Sequence, residues 1–452
     1  MRYHAAFAAA AIAILAACAG STSPSHDSGL IPASSRSPQG TVSPGFKVGR
    51  FSKIQHVVIV IQENRTVDNL FQFLPGANTQ SYGLNSLGQT VPLQPIDMTA
   101  HYDIGHVHGN WTSEYNNGGM NGFDLDDCRL DCPQNPEYGY VPQDEVQPYY
   151  TLAETYAFAD NFFQTNEGPS FPAHQYLISG TSALNDHTTD RASNNSEAPE
   201  DAPSGGCDSP DGSKVRVITM ADHDNKFTFP CFHRTALMNE LDTAGLPWKY
   251  YQAKAGPGLW NAVDAIYSIW SNPGEMAANV ITPSAQFLTD VGNGNLAAVT
   301  WVTPTARASD HSGVTDGSGP AWVASVVNAI GQSPYWSSTA IFVTWDDWGG
   351  WYDHVQPQRF NSYELGFRVP LLVISPYAKP GYISHKQHEF GSILKFTEQT
   401  FGLSTMGTTD ARADDLSDCF DFGKAPTVFT RIRAKYGPRF FARQPSTEPV
   451  DD

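Results

Sequence analysis

Four short apolar runs govern what this 452-residue chain can fold into. They are HVVIVI (56–61), LAAVTWVTP (296–304), TAIFVTW (339–345) and RVPLLVISP (368–376). Short continuous apolar runs of this kind fit strands covered on both faces. Helical patterns lie between or after them, in PAWVASVVNAIG (320–331) and GSILKFTEQTFG (391–402). Strands interleaved with helices predict an α/β sandwich, with a central, mostly parallel sheet flanked by helices. An apolar share of 40% supplies the core, while 38 Gly and 32 Pro predict abundant loops.

Open α/β sheets bind ligands beyond the carboxyl ends of their strands. The residues just past each run therefore carry the chemistry. After the first come Gln62-Glu63-Asn64-Arg65, after the second Ser309-Asp310-His311, after the third Asp346-Asp347 and after the fourth Tyr377-Ala378-Lys379. Glu63, Asn64, Asp346 and Asp347 offer oxygen ligands that suit one divalent cation, whose identity the residues leave open. Two adjacent carboxylates resist a shared buried site unless a cation offsets them. Side chains alternate along a strand, so both can face one ion only if the strand turns at Asp346. Gly349-Gly350 permit such a turn. Taken alone, the Asp pair fits a solvated turn better.

Ser170 sits in NEGPSFPAHQYLISGTS (166–182), just ahead of an apolar stretch that can start a helix. Its hydroxyl suits a helix cap and a metal-activated nucleophile equally well. His106 and His108 in DIGHVHGNW (103–111) suit metal binding or a surface pair, and His311 and His354 adjoin the acidic strand ends. Imidazoles there can hold phosphate or protonate a leaving group.

A net charge of −19 argues against a nucleic-acid partner but not against a phosphate ester, because a metal can supply local positive charge. The stretch MRYHAAFAAAAIAILAACAG reads as an export signal. Its Leu15-Ala16-Ala17-Cys18 ending resembles the lipobox of bacterial lipoproteins, so the expectation is a signal over 1–17 and a lipidated Cys18. That places the chain outside the cytoplasm, anchored in a membrane or alternatively secreted. Residues 18–52 read as a tether rich in Ser, Pro and Gly, 53–438 as one catalytic domain and 439–452 as a loose tail. In an oxidising compartment, the remaining cysteines predict two disulfides and one leftover thiol. Cys128–Cys132 and Cys207–Cys231 are the nearest pairs, although spacing leaves connectivity open. Oligomeric state leaves no trace in the sequence.

At these residues the chain resembles the bacterial phosphoesterase family of non-haemolytic-type phospholipases C and acid phosphatases, itself related to the alkaline phosphatase superfamily. The stretches that carry the resemblance are HVVIVIQENRTVDNLF, GPSFPAHQYLISGT, SDHSG, TWDDWGGWYDHV, GFRVPLLVISPYAKPGYISH and EFGSILKFTEQTFGL, in the family's order. ARADDLSDCFDF looks like the acid-phosphatase branch. The resemblance implies an alkaline-phosphatase-like sandwich and a metal-dependent hydrolase working through a phosphoserine. It also implies roles. Glu63, Asn64, Ser170, Asp346 and Asp347 would hold the metal, and Ser170, His106 and His311 would be catalytic. Asn64, His174 and His354 would bind substrate. A Ser nucleophile where the lipases usually carry Thr, the lack of a twin-arginine signal and the lack of extra C-terminal domains favour a phosphatase. A phospholipase C is the alternative, and a non-catalytic surface lipoprotein a more distant one.

Overall fold

Eight strands form the central sheet: β1 (His56–Gln62), β2 (Ala157–Ala159), β3 (Trp248–Tyr251), β4 (Val280–Ile281), β5 (Val299–Val302), β6 (Thr339–Trp345), β7 (Leu371–Ile374) and β8 (Tyr382–Ser384). Their spatial order is β4-β3-β5-β1-β6-β7-β2-β8. This is a computed structural model, and it describes residues 49–447. Every pairing is parallel except those of β7, which runs against both neighbours. The expected signal and the lipidation site at Cys18 lie outside the described residues.

The four apolar runs all contain strands, and the four lie side by side in the middle of the sheet, in the order β5-β1-β6-β7. All residues of β5 and β6, and all of β1 but His56, are buried. Alternation along β6 sends its side chains to opposite helical layers. Phe342 meets Phe396 of α4 (Phe390–Phe401), while Trp345 meets Tyr149 of α1 (Gln147–Thr155) edge-on. Helix α3 (Gly319–Gly331) packs with α1, and α2 (Ser170–Ser179) packs with α4. All ten residues of α2 are buried, and it stops at Gly180, whose φ of 63° ends the helix in the left-handed conformation.

The antiparallel course of β7 has a functional consequence. Tyr377-Ala378-Lys379 leave it at the sheet edge opposite the ends of β1 and β6, so they do not join the residues delivered there. An apolar run buried on both faces looks the same in either direction, which is why the sequence did not reveal the reversal.

Residues 191–228 form a separate three-stranded antiparallel sheet of Arg191–Glu197, Lys214–Ile218 and Lys226–Thr228. Cys207–Cys231 ties this excursion together, and Cys128–Cys132 closes a second loop. Cys419 is a buried free thiol. The pairing suits a chain that folds in an oxidising compartment. Ordered contacts reach beyond the expected domain edges. Phe51 stacks on Phe396, Phe441 packs against Trp322, and the Ala306 amide donates to the Thr447 carbonyl.

Candidate active site

The register between the two central strands builds the site. β1 and β6 pair from His56↔Thr339 through Gln62↔Trp345, so they end level and release Glu63 and Asp346 beside each other. The Asp346 amide still donates to the Gln62 carbonyl at 3.0 Å, and the Asn64 amide donates to Asp346 Oδ1 at 3.1 Å. Asn64 turns sharply with a φ of 64°, a conformation that Asn tolerates better than most residues.

The strand does turn at Asp346. Gly349 and Gly350 adopt φ of 63° and 73°, and a Cβ on Gly349 would lie 2.6 Å from the Asn64 carbonyl oxygen. The two strand-end loops thus interlock, and only glycine fits the seam. The turn aims Asp347 back at the centre. Its Oδ1 accepts from the Gly349 amide at 2.8 Å, and its Oδ2 accepts from Ser170 Oγ at 3.3 Å.

Ser170 is the first residue of α2, and Pro169 takes the capping position. The hydroxyl is therefore not spent on the helix backbone. It faces Asp347 and also lies 3.4 Å from Glu63 Oε2. One helical turn on, His174 Nε2 lies 3.1 Å from Glu63 Oε1 and 3.7 Å from Asp346 Oδ2. Residues four apart share a helix face, so the Ser170–His174 spacing carried this placement, whereas the family resemblance implied only substrate binding for His174.

Glu63, Asp346, Asp347, Ser170 and His174 are all fully buried. Glu63, His174 and Asp346 each offer one ligand atom within 4.8 Å of the others. Asp346 Oδ2 is buried and makes no hydrogen bond. Three buried carboxylates with an acceptor left over form a donor set that a divalent cation satisfies, and the added imidazole suits a borderline metal as well as a hard one. The residues present therefore fit the implied metal.

Asn64 Nδ2 donates to His106 Nε2 at 2.9 Å, while its Oδ1 is buried without a hydrogen bond and so, like Asp346 Oδ2, is an oxygen that a cation could meet. His106 Nδ1 donates to the Ile104 carbonyl at 2.7 Å, which fixes the ring's tautomer and leaves Nε2 as the acceptor. His311 Nδ1 donates to the Ser312 carbonyl at 2.7 Å, and its ring lies 5.7 Å from that of His106. Trp260 stands 6.4 Å from both His174 and His311, a neighbour that left no signal in the sequence.

Behind His311, Asp310 Oδ2 accepts from Tyr149 Oη at 2.7 Å and Trp345 Nε1 at 2.9 Å, while Arg65 Nε donates to the Asp310 carbonyl. Burial pushes the Asp310 carboxyl up to about 6, opposed by the Tyr149 hydrogen bond and the Arg65 charge.

The two other histidines hold different contacts. His354 Nδ1 lies 2.7 Å from Asp68 Oδ2, in a cluster where Arg368 clamps Asp353 at 2.8 and 2.9 Å. His108 Nδ1 donates to the Glu167 carbonyl, with its ring parallel to Trp111.

A model described as the Phosphoesterase family matches residues 54–404. Phospholipase C B of Mycobacterium tuberculosis is 25% identical, over 84% of this chain and 80% of its own length. Hemolytic phospholipase C of Pseudomonas aeruginosa is 25% identical over 87% of this chain, which spans 59% of that longer protein. A solved structure of a protein in the alkaline phosphatase superfamily from Vibrio parahaemolyticus is 9% identical. It covers 82% of this chain and 72% of its own with a TM-score of 0.38, too low to add to the fold read from the strand order.

Proposed function

The chain belongs to the Phosphoesterase family, as a hydrolase of phosphoric ester bonds, and from that premise we propose that it is a metal-dependent phospholipase C with Ser170 as nucleophile. The observation that carries the reading is the placement of Ser170 Oγ, turned away from its own helix and onto Asp347 and Glu63. The names of the curated relatives support a phospholipid headgroup diester as substrate over the phosphate monoester expected from sequence. Lipidation of Cys18, within Leu15-Ala16-Ala17-Cys18, would keep such an enzyme at a membrane surface.

Glu63, Asp346, Asp347 and His174 would hold the cation, with Ser170 beside it. A bound divalent ion supplies Lewis acidity and lowers the pKa of an adjacent hydroxyl. The Ser170 proton has acceptors in Asp347 Oδ2 and Glu63 Oε2, and Oγ attacks phosphorus as the bond to the leaving oxygen breaks. Asn64, His106 and His311 would orient the phosphoryl oxygens, and His106 or His311 in its doubly protonated form would protonate the leaving group. Water then cleaves the Ser170–phosphorus ester and regenerates Ser170.

Purified protein offered phosphatidylcholine and a phosphate monoester in parallel tests the substrate. Diacylglycerol release at the higher kcat/KM is the expected result. Monoester cleavage alone would restore the acid phosphatase reading, which the Ser nucleophile and ARADDLSDCFDF favour.

A further inference from the structure

A second constellation of metal-ligand type lies apart from the candidate active site. It forms where β8 ends and the chain enters α4. His388 is fully buried there, and Asp418 and Cys419 approach it from the short turn Ser417–Cys419. His388, Asp418 and Cys419 each offer one ligand atom within 4.8 Å of the others.

The surrounding contacts orient these groups. His388 Nδ1 lies 3.1 Å from Asp414 Oδ1, and Nε2 lies 2.9 Å from Ser384 Oγ and 3.6 Å from Asp418 Oδ1. Asp418 Oδ2 accepts from Ser384 Oγ at 2.6 Å and from Tyr382 Oη at 3.1 Å. Its other oxygen, Oδ1, is buried without a hydrogen bond, on a side chain only 9% exposed. A buried carboxylate oxygen left without a donor is costly unless something positive meets it.

We propose that His388 Nε2, Asp418 Oδ1 and Cys419 Sγ bind a zinc-type divalent cation. A sulfur, a nitrogen and a carboxylate oxygen together favour zinc over calcium or magnesium, which prefer oxygen alone. Asp414, 3.1 Å from Nδ1, stands where a carboxylate commonly backs a ligating histidine whose other nitrogen faces the metal. Ser384 then keeps its bond to Asp418 Oδ2. Binding releases the thiol proton to solvent, and a water completes four ligands. The ion would tie the C-terminal stretch to the start of α4 and requires no participation in turnover.

The test uses the full chain with disulfides intact, stripped by chelator and titrated with cobalt(II). A thiolate-to-cobalt charge-transfer band that saturates within two equivalents, the candidate active site taking the other, is expected, abolished in Cys419→Ala and His388→Gln and retained in Asp347→Asn. Zinc should displace the band. No band in the unmutated protein overturns the proposal however the variants fold. A band that persists in Cys419→Ala overturns it equally.

Discussion

In the proposed mechanism the chemistry turns on Ser170. Its Oγ is held at 3.3 Å from Asp347 and 3.4 Å from Glu63, so removing it deletes the attacking atom and no packing contact of consequence. Ser170→Ala is expected to lower kcat by roughly 10³-fold or more at an unchanged melting temperature, read by headgroup release and thermal unfolding. In the proposed mechanism His106 and His311 serve the phosphoryl oxygens and the leaving group. Replacing His106 by Ala should cost about 10²–10⁴ in kcat, in the range of a lost general acid. The His106 loss should also change the pH–rate profile, which a merely structural change would leave in place.

Burial of charge gives a further test at this scale. Glu137 is buried, and desolvation raises its carboxyl from an ordinary 4.5 to about 8, with Asp126 and Asp124 adding to the rise. The folded chain therefore keeps a proton that the unfolded chain has released. That contribution is complete below about 4.5 and is lost as pH climbs through 8. Glu137→Gln should match the parent protein near pH 4.5 and become progressively more stable than it towards pH 8, measured as melting temperature against pH.

Among elements, the interlocked loops after β1 and β6 decide whether the carboxylates converge. Gly349→Ala would force a Cβ to 2.6 Å from the Asn64 carbonyl oxygen at a positive φ. A cost of about 1–3 kcal/mol in stability is expected, with weaker metal affinity by isothermal titration. The strand ends were readable in advance because continuous apolar runs stop abruptly at Glu63 and Asp346. Their level register was not, since pairing is set by long-range contacts. The reversal of β7 stayed hidden for the same reason. His174 was readable as a partner of Ser170 through its one-turn spacing, whereas Trp260 lies in a loop with no periodicity to place it.

Across the whole molecule, a mostly parallel sheet brings residues from the sequence near 63, 106, 170, 311 and 346 to one edge. Only the topology assembles them, which is why separate motifs left Ser170 between a cap and a nucleophile and the Asp pair between a wet turn and a metal ligand. The disulfide-pinned excursion is part of this frame, for the Asn195 side chain accepts from the Phe171 amide at 2.9 Å, at the start of α2. Cys207→Ser with Cys231→Ser should cost about 2–4 kcal/mol, measured by urea unfolding.

The central claim is that the phosphoryl group transfers to Ser170 at a cation-dependent centre. Rapid acid quenching during phosphatidylcholine turnover, followed by peptide mass spectrometry, tests it directly. The expected result is one phosphocholine group on the peptide containing Ser170, absent after chelation and restored by divalent metal. Sustained turnover with that peptide unmodified, or full activity in Ser170→Ala, would contradict it.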